Sequence, residues 1–202
     1  MKLKIDPTIY NNDRTRRESL KKVRKPVHDS PLTKARKKLF KVKRINNSDL
    51  YGDEETRGEH LVLPVAINPN NNDVATTTIS SIEDAEGNPT KQEKIKNGLI
   101  MPIPEDKTKN FTRKVGIQQD VISKNARTGK NLNYSMLKEP LYGAEISEDM
   151  KDDVNSFLFE NPQHKRNSYR NHHKVKNYVK IKWASKILDA QVGLVFQPEH
   201  LP

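Results

Sequence analysis

Aromatic side chains are concentrated toward the C-terminal end of this chain, and their placement limits where a folded core can form. Eight of the twelve aromatic residues lie between Tyr134 and Phe196, including the single tryptophan, Trp183. Aromatic residues bury large apolar areas, so both folding and docking depend on them. We therefore expect the ordered part of the protein within residues 145–196.

A short helix is predicted at the start of this region. Ser147 is a residue type that caps helix N-termini, and the acids that follow it interact favourably with the helix dipole. Apolar residues then recur at the spacing of one helical face: Met150, Val154, Phe157 and Leu158. The Asn-Pro pair at 161–162 is expected to end the helix.

A basic segment follows, with eight Lys or Arg and no acid between Gln163 and Leu188. As a helix from about Ser168 to a cap near Gly193, it would carry an imperfect apolar side. That side comprises Val175, Tyr178, Val179, Trp183 and Ile187. As a strand, Val179, Ile181 and Trp183 would alternate with lysines. The absence of Gly and Pro from 163 to 192 favours the helix.

The composition argues against a large domain elsewhere. Only 33% of the residues are hydrophobic, and Leu, Ile, Val and Phe make up 47 of 202. Burial at about 25 cal/mol per Å² must offset roughly 1–2 kcal/mol of backbone entropy per residue. We therefore predict a mostly disordered chain with short α-helices, a small helical C-terminal module at about 147–192, and no autonomous large domain.

Charge and composition divide the chain into four predicted segments. These are a basic arm (1–45), a disordered acidic and polar linker (46–109), a partly ordered segment (110–144) and a helical docking module (145–196). The linker includes the Asn-rich stretch 68–72 and the Thr/Ser run 76–81. Its two apolar islands, 61–67 and 99–104, contain prolines, which predict an extended, unpaired backbone that binds a groove or a sheet edge, or collapses into a loose patch.

The uneven charge indicates a polyanionic partner. Residues 1–45 hold 16 Lys and Arg against 4 acids, whereas residues 46–162 hold 13 against 20. Cationic segments bind nucleic acids by neutralising phosphates, and DNA and RNA remain alternatives. The predicted nucleic-acid-binding residues are Arg14, Arg16, Arg17, Lys21, Lys22, Arg24, Lys25, Arg36, Lys37, Lys38, Lys165, Arg166, Arg170, Lys174, Lys176, Lys180, Lys182 and Lys186.

Short motifs on the basic arm suggest nuclear import and regulation. Its two basic clusters resemble a bipartite nuclear import signal, so we expect a nuclear protein. Ser19 and Ser30 lie in patterns typical of kinase sites, and a phosphate there would weaken a cationic contact. Residues 37–40 resemble a cyclin-docking motif, and residues 180–183 resemble a phosphatase-docking motif.

Catalytic chemistry is not indicated. The sequence contains no cysteine, no glycine-rich phosphate loop and no nucleophile motif. The neighbouring histidines His172 and His173 lack a nearby acid and would diverge on a helix, so we predict neither a metal nor a cofactor. No apolar run is long enough for a membrane span, and we expect no small-molecule substrate.

The leading hypothesis is a non-enzymatic nuclear adaptor that joins a nucleoprotein assembly, either chromatin-associated or pre-ribosomal. Its predicted partner-binding residues are Leu39, Phe40, Phe157, Leu158, Tyr178, Ile181 and Trp183. The alternative is a cell-cycle-regulated subunit whose short motifs recruit a cyclin-dependent kinase or a protein phosphatase. Salt dependence of binding separates the two, because only phosphate neutralisation depends steeply on salt.

Overall fold

The computed structural model describes residues 29–52, 58–160 and 165–181. Over these ranges the helices are α1 (Pro31–Lys38), α2 (Asn47–Tyr51), α3 (Gln92–Lys96), α4 (Lys151–Asn155) and α5 (Lys165–Lys174). The strands are β1 (Lys43–Asn46), β2 (Glu59–Ile67), β3 (Val74–Ser81), β4 (Ile100–Pro102), β5 (Thr108–Lys109), β6 (Val115–Ile122), β7 (Glu145–Ile146) and β8 (Val179–Lys180). Short 3-10 turns lie at Glu105–Lys107, Tyr134–Met136, Leu141–Gly143 and Glu148–Met150.

A six-stranded antiparallel sheet lies at the centre of the described structure. Its strands run in the order β1-β2-β3-β6-β4, and β8 pairs with β2 beside β1. β1 pairs with Glu59–Val62 of β2, whereas β8 pairs with Ala66 and Ile67. Strands from all four predicted segments therefore lie in one sheet. The prediction of a mostly disordered chain with a small helical module is wrong.

The apolar island at residues 61–67 is the central strand of the sheet. Residues 62–67 are buried, because β2 packs on both of its faces. The pairing register with β3 shifts between Pro64 and Ala66, and such a bulge tolerates the missing proline N–H. The Pro64 carbonyl accepts a hydrogen bond from the Phe40 N–H at 2.9 Å. The predicted extended conformation is confirmed, but the predicted lack of pairing is wrong.

The second island forms β4, which pairs with one end of β6. Pro102 lies on this edge strand, where a missing N–H costs little. Here too the backbone is extended and paired, so the linker prediction fails at both islands.

The polar run that predicted a linker is β3. Thr76, Thr77 and Thr78 are buried between β2 and β6. Threonine is β-branched, so it packs well on a pleated surface although hydropathy classes it as polar.

The Asn-rich stretch Asn68–Asn72 forms the turn between β2 and β3. The Asn68 N–H donates to the Asp73 carbonyl at 2.8 Å, and the Asn72 N–H donates to the Asn68 carbonyl at 3.0 Å. Asn72 has a φ of 60°, a left-handed conformation that asparagine tolerates better than most residues. The stretch connects two paired strands as a tight turn.

The helix predicted after Ser147 is confirmed, although it is not part of a separate module. A 3-10 turn, α4 and a π-helical turn (Ser156–Glu160) follow one another from 148 to 160. Met150, Val154, Phe157 and Leu158 are all buried, as their spacing predicted. They belong to the same apolar cluster as residues of β2, β3 and β6.

The continuous helix predicted from about Ser168 is wrong beyond Lys174. α5 ends at Lys174, and residues 179–180 form β8 against β2. The proposed cap near Gly193 lies outside the described residues. The strand alternative is confirmed for Val179 and Lys180, and Trp183 lies outside the described residues.

The buried apolar side chains form two clusters. Leu63 and Ala75 belong to the larger cluster, and their chain neighbours Val62 and Val74 belong to the smaller one. From Pro31 onward, the described elements belong to one compact unit.

Candidate nucleic-acid interface

Helix α5 packs on the sheet through polar side chains. Asn171 is fully buried, and its Oδ1 accepts a hydrogen bond from the Val121 N–H at 3.2 Å. Its Nδ2 donates to the carbonyls of Gln119 and Leu158, each at 2.9 Å. The Ser168 hydroxyl donates to the Phe159 carbonyl. These contacts hold one side of α5 against β6 and the preceding π-helical turn.

The Asn171 carboxamide continues the pairing along the edge of β6, beyond the first residue of β4. The Gln119 N–H donates to the Leu99 carbonyl at 3.0 Å, directly before β4 begins. The next backbone groups on that edge, the Gln119 carbonyl and the Val121 N–H, bind Asn171 instead of a strand. An open strand edge is a site for unwanted pairing, and α5 covers this one.

Lys174 also binds the open edge of β6, and its ammonium is therefore not freely exposed for binding phosphate. Its Nζ donates to the Val121 carbonyl at 2.7 Å. Its burial is the main cause of a pKa below the usual lysine range, the Arg170 charge lowers the pKa further, and the Asp120 charge opposes both. Lys174 therefore contributes mainly to the attachment of α5.

Lys180 is also used within the fold. Its Nζ lies 2.6 Å from His172 Nδ1 and 5.0 Å from the centre of the Phe159 ring. Burial lowers the pKa of Lys180, and the charge of Glu160 partly opposes that shift. His172 Nε2 lies 2.7 Å from the Phe159 carbonyl, so the imidazole links α5 to both β8 and the π-helical turn.

The opposite side of α5 is exposed and carries cations around an aromatic ring. Arg166, Tyr169, Arg170 and His173 are all exposed and share the spacing i, i+3, i+4 and i+7. That spacing places them on one helical face, which we call the α5 outer face. Tyr169 has 73% of its surface exposed, and its ring lies 6.4 Å from that of His173 at an interplanar angle of 19°.

Further charges lie near the C-terminal half of α5. A cleft of about 440 Å³ is lined by Ile122, Ser123, Lys124, His173 and Lys174. Lys124 and Lys176 are exposed. Two acids act on the half-buried lysines here: Asp120 acts on Lys174, and Glu160 acts on Lys180. No acid lies within α5 itself, so its outer face is cationic.

The predicted nucleic-acid-binding residues have different environments. Arg166, Arg170, Lys176 and Lys37 are exposed, Arg36 is half-buried, and Lys174 and Lys180 make the internal contacts described above. The Lys38 ammonium binds Asn72 Oδ1 at 2.8 Å and lies 4.9 Å from the centre of the Tyr134 ring. Lys165 lies in α5. Outside the described residues lie Arg14, Arg16, Arg17, Lys21, Lys22, Arg24, Lys25, Lys182 and Lys186.

Most of the predicted partner anchors belong to the core. Leu39, Phe40, Phe157, Leu158 and Ile181 are buried in the larger apolar cluster. Tyr178 is half-buried against that cluster, and Trp183 lies outside the described residues. The structure thus assigns the five buried residues to intramolecular packing and not to an accessible contact. Of the two predicted phosphorylation sites, Ser30 is exposed and Ser19 lies outside the described residues.

Sequence reasoning missed Tyr169 and His173 as members of the site. Tyr169 counted only as one of several aromatic residues, and His173 was considered only as a metal ligand. The signal was the helical spacing of both residues with Arg166 and Arg170. Lys124 was also missed, because its position beside α5 depends on the pairing of β6 with its neighbours.

Two other kinds of site find little support in the described part of the chain. No group of three or more His, Asp or Glu side chains there is arranged to hold a metal ion. A cavity of about 660 Å³ is lined by both acids and lysines. Two of its lysines form ion pairs: Lys107 with Asp149 at 2.6 Å and Lys109 with Glu145 at 3.7 Å. This cavity therefore lacks the one-sided charge of the α5 outer face.

Comparisons with known proteins give no relative for this chain: no family model, curated protein or solved structure matches it. Among the described helices, none has the length and apolar character needed to cross a bilayer.

Proposed function

We propose that this protein is a non-enzymatic nuclear adaptor that joins a nucleoprotein assembly, chromatin-associated or pre-ribosomal, and binds nucleic acid through the α5 outer face. The observation that supports this proposal is the exposed row Arg166, Tyr169, Arg170 and His173 on one side of a helix without acids. Arginine binds phosphate oxygens through a planar fork of donors, and an exposed aromatic ring offers a surface for a base.

The attachment of α5 supports the same proposal. Buried polar contacts from Asn171 and Ser168 hold its inner side, so the outer arginines project from a fixed helix. A rigid element presents charges at constant spacing, which reduces the entropy that binding must remove. The 16 Lys and Arg of residues 1–45 add long-range attraction for a polyanion.

The binding test compares two variants that remove the same charge. Arg166→Gln with Arg170→Gln removes both outer-face arginines, and Lys94→Gln with Lys96→Gln removes two exposed lysines from α3. Fluorescence anisotropy with labelled DNA and RNA oligonucleotides is measured over a range of salt concentrations. Loss of two phosphate contacts should reduce the slope of log K against log salt by about 1.4 for a single strand and about 1.8 for a duplex.

The α3 control should retain nearly the wild-type slope, because its lysines lie outside the proposed interface. Equal effects of the two variants would mean that only net charge matters and would contradict a site on α5.

Nuclear localisation is tested separately with a fluorescent fusion of the full chain. Replacing Lys21, Lys22, Arg24 and Lys25 with alanine should reduce nuclear accumulation. These positions are preferable to Lys43, which is buried and paired with Glu139, so that its loss would disturb the fold. Cytoplasmic retention of the unmodified fusion would contradict the nuclear part of the proposal.

The alternative regulatory subunit receives no support from the placement of its motifs. Leu39 and Phe40 of the cyclin-like motif are buried, as is Ile181 of the phosphatase-like motif. A docking motif must be accessible in an extended conformation, so these residues would have to leave the core first.

A further inference from the structure

We propose that the ligand of the α5 outer face is single-stranded nucleic acid, with Tyr169 as a platform on which an unpaired base stacks. This inference rests on the proposed function and adds the class of nucleic acid. Tyr169 has 73% of its surface exposed, whereas the aromatic rings of Phe40, Phe157 and Phe159 are buried in the core. The core therefore gains little from the Tyr169 ring.

The position of Tyr169 among cations favours a base as its partner. Arg166 lies one helical turn before Tyr169, and Arg170 follows Tyr169 directly. A strand that lies along this face meets two arginines beside the tyrosine, and arginine binds phosphate oxygens. Single-strand-binding proteins use the same combination of a cationic track and an aromatic ring.

The neighbouring His173 ring prepares Tyr169 for stacking. The two rings are nearly parallel, at an interplanar angle of 19°, and four residues apart on one helix. Such a pair restricts the rotamers of both side chains, because each ring occupies space that the other would sweep through. A restricted side chain loses less conformational entropy when a base packs on it.

A duplex does not offer the same contact. Its bases are stacked on each other inside the helix, so they expose edges in the grooves and not faces. A duplex can meet the arginines of the α5 outer face but leaves Tyr169 without a base to stack on. Tyr169 should therefore contribute to binding of single strands alone.

The experiment compares Tyr169→Ala and Tyr169→Phe in the full chain. Binding of a labelled oligothymidine or oligouridine strand and of a duplex of equal length is measured by anisotropy at one salt concentration. Tyr169→Ala should weaken single-strand binding by roughly tenfold, which is within the range for loss of one stacked base, and should leave duplex binding unchanged. Tyr169→Phe retains the ring and should bind like the wild type. Circular dichroism checks that both variants are folded.

The outcomes separate this inference from the function on which it rests. If Tyr169→Ala weakens duplex and single-strand binding equally, or weakens neither, the stacking role is wrong, while binding through the arginines stands. If the unmodified chain prefers the duplex, the assignment to single strands is wrong. If Arg166→Gln with Arg170→Gln changes neither ligand's affinity, the proposed function itself fails. Binding of anionic phospholipid vesicles or an acidic peptide, without binding of either oligonucleotide, would overturn both.

Discussion

Asn171 shows how one polar side chain can decide whether a helix attaches to a sheet. Its amide supplies two donors and one acceptor, and all three bind backbone groups of Val121, Gln119 and Leu158. A buried backbone group that loses its partner costs about 1–3 kcal/mol. This residue therefore matters more for stability than its size suggests.

Replacing Asn171 with leucine should lower the free energy of unfolding by about 3–5 kcal/mol, because three buried backbone groups lose their partner at once. Asn171→Asp is a nearly isosteric test. It keeps the shape of the side chain but replaces the NH2 group with an oxygen, which cannot donate to the carbonyls of Gln119 and Leu158. Urea denaturation measures both effects. Asn177→Leu is the control, because Asn177 is exposed. A loss below about 1 kcal/mol for Asn171→Asp would contradict the bonding scheme.

Side-chain contacts also attach the short strand β8 to the rest of the fold. β8 pairs with β2 at only Ala66 and Ile67, so two residue pairs alone cannot hold it. Its Lys180 contacts the His172 ring, and the following residue, Ile181, is buried in the larger cluster. Since the Lys180 ammonium only donates, His172 Nδ1 must accept, and Nε2 carries the proton toward the Phe159 carbonyl.

Replacing His172 with alanine should weaken the attachment of β8 and raise amide exchange over residues 175–181. The neighbouring His173→Ala is a matched control, because it removes the same side chain from the exposed side of α5. Hydrogen exchange with mass spectrometry measures both variants. Equal exchange over 175–181 in the two variants would show that the His172 contacts do not hold β8.

At the scale of the whole molecule, stability depends on contacts between segments that are distant in the chain. The larger apolar cluster unites residues from α1, the central strands, the helical segment 148–160 and Ile181. Such a core forms only when most of its members are present together, which predicts cooperative unfolding.

The slowest amide exchange should therefore occur in β2, β3 and β6, at residues 61–67, 74–81 and 115–122. These strands lie at the centre of the sheet, and their amides open only when the core opens. Native-state hydrogen exchange measures this in the isolated chain. Protection confined to 147–192, as the sequence alone had suggested, would contradict a cooperative sheet.

The sequence by itself determined features that depend on local spacing. The apolar face of the helix after Ser147 was predicted because 3.6-residue periodicity can be read from neighbours, and Met150, Val154, Phe157 and Leu158 are indeed buried. The cationic, acid-free character of 165–174 was likewise visible, and it includes Arg166 and Arg170 of the candidate site. The extended conformation of both proline-containing islands was also correct.

Tertiary structure decided the rest, because strand pairing brings together residues that are far apart in the sequence, and local spacing does not predict which strands pair. The threonines of β3 are buried because β2 and β6 lie on either side of that strand. The apolar island at 61–67 can be a central strand because a bulge accommodates Pro64. The same long-range contacts determined which basic residues are half-buried and which are exposed. Lys174 and Lys180 are half-buried and contact Val121 and His172, whereas Tyr169 and His173 lie on the exposed side with the arginines. Burial is a property of the assembled core, so composition alone underestimated it.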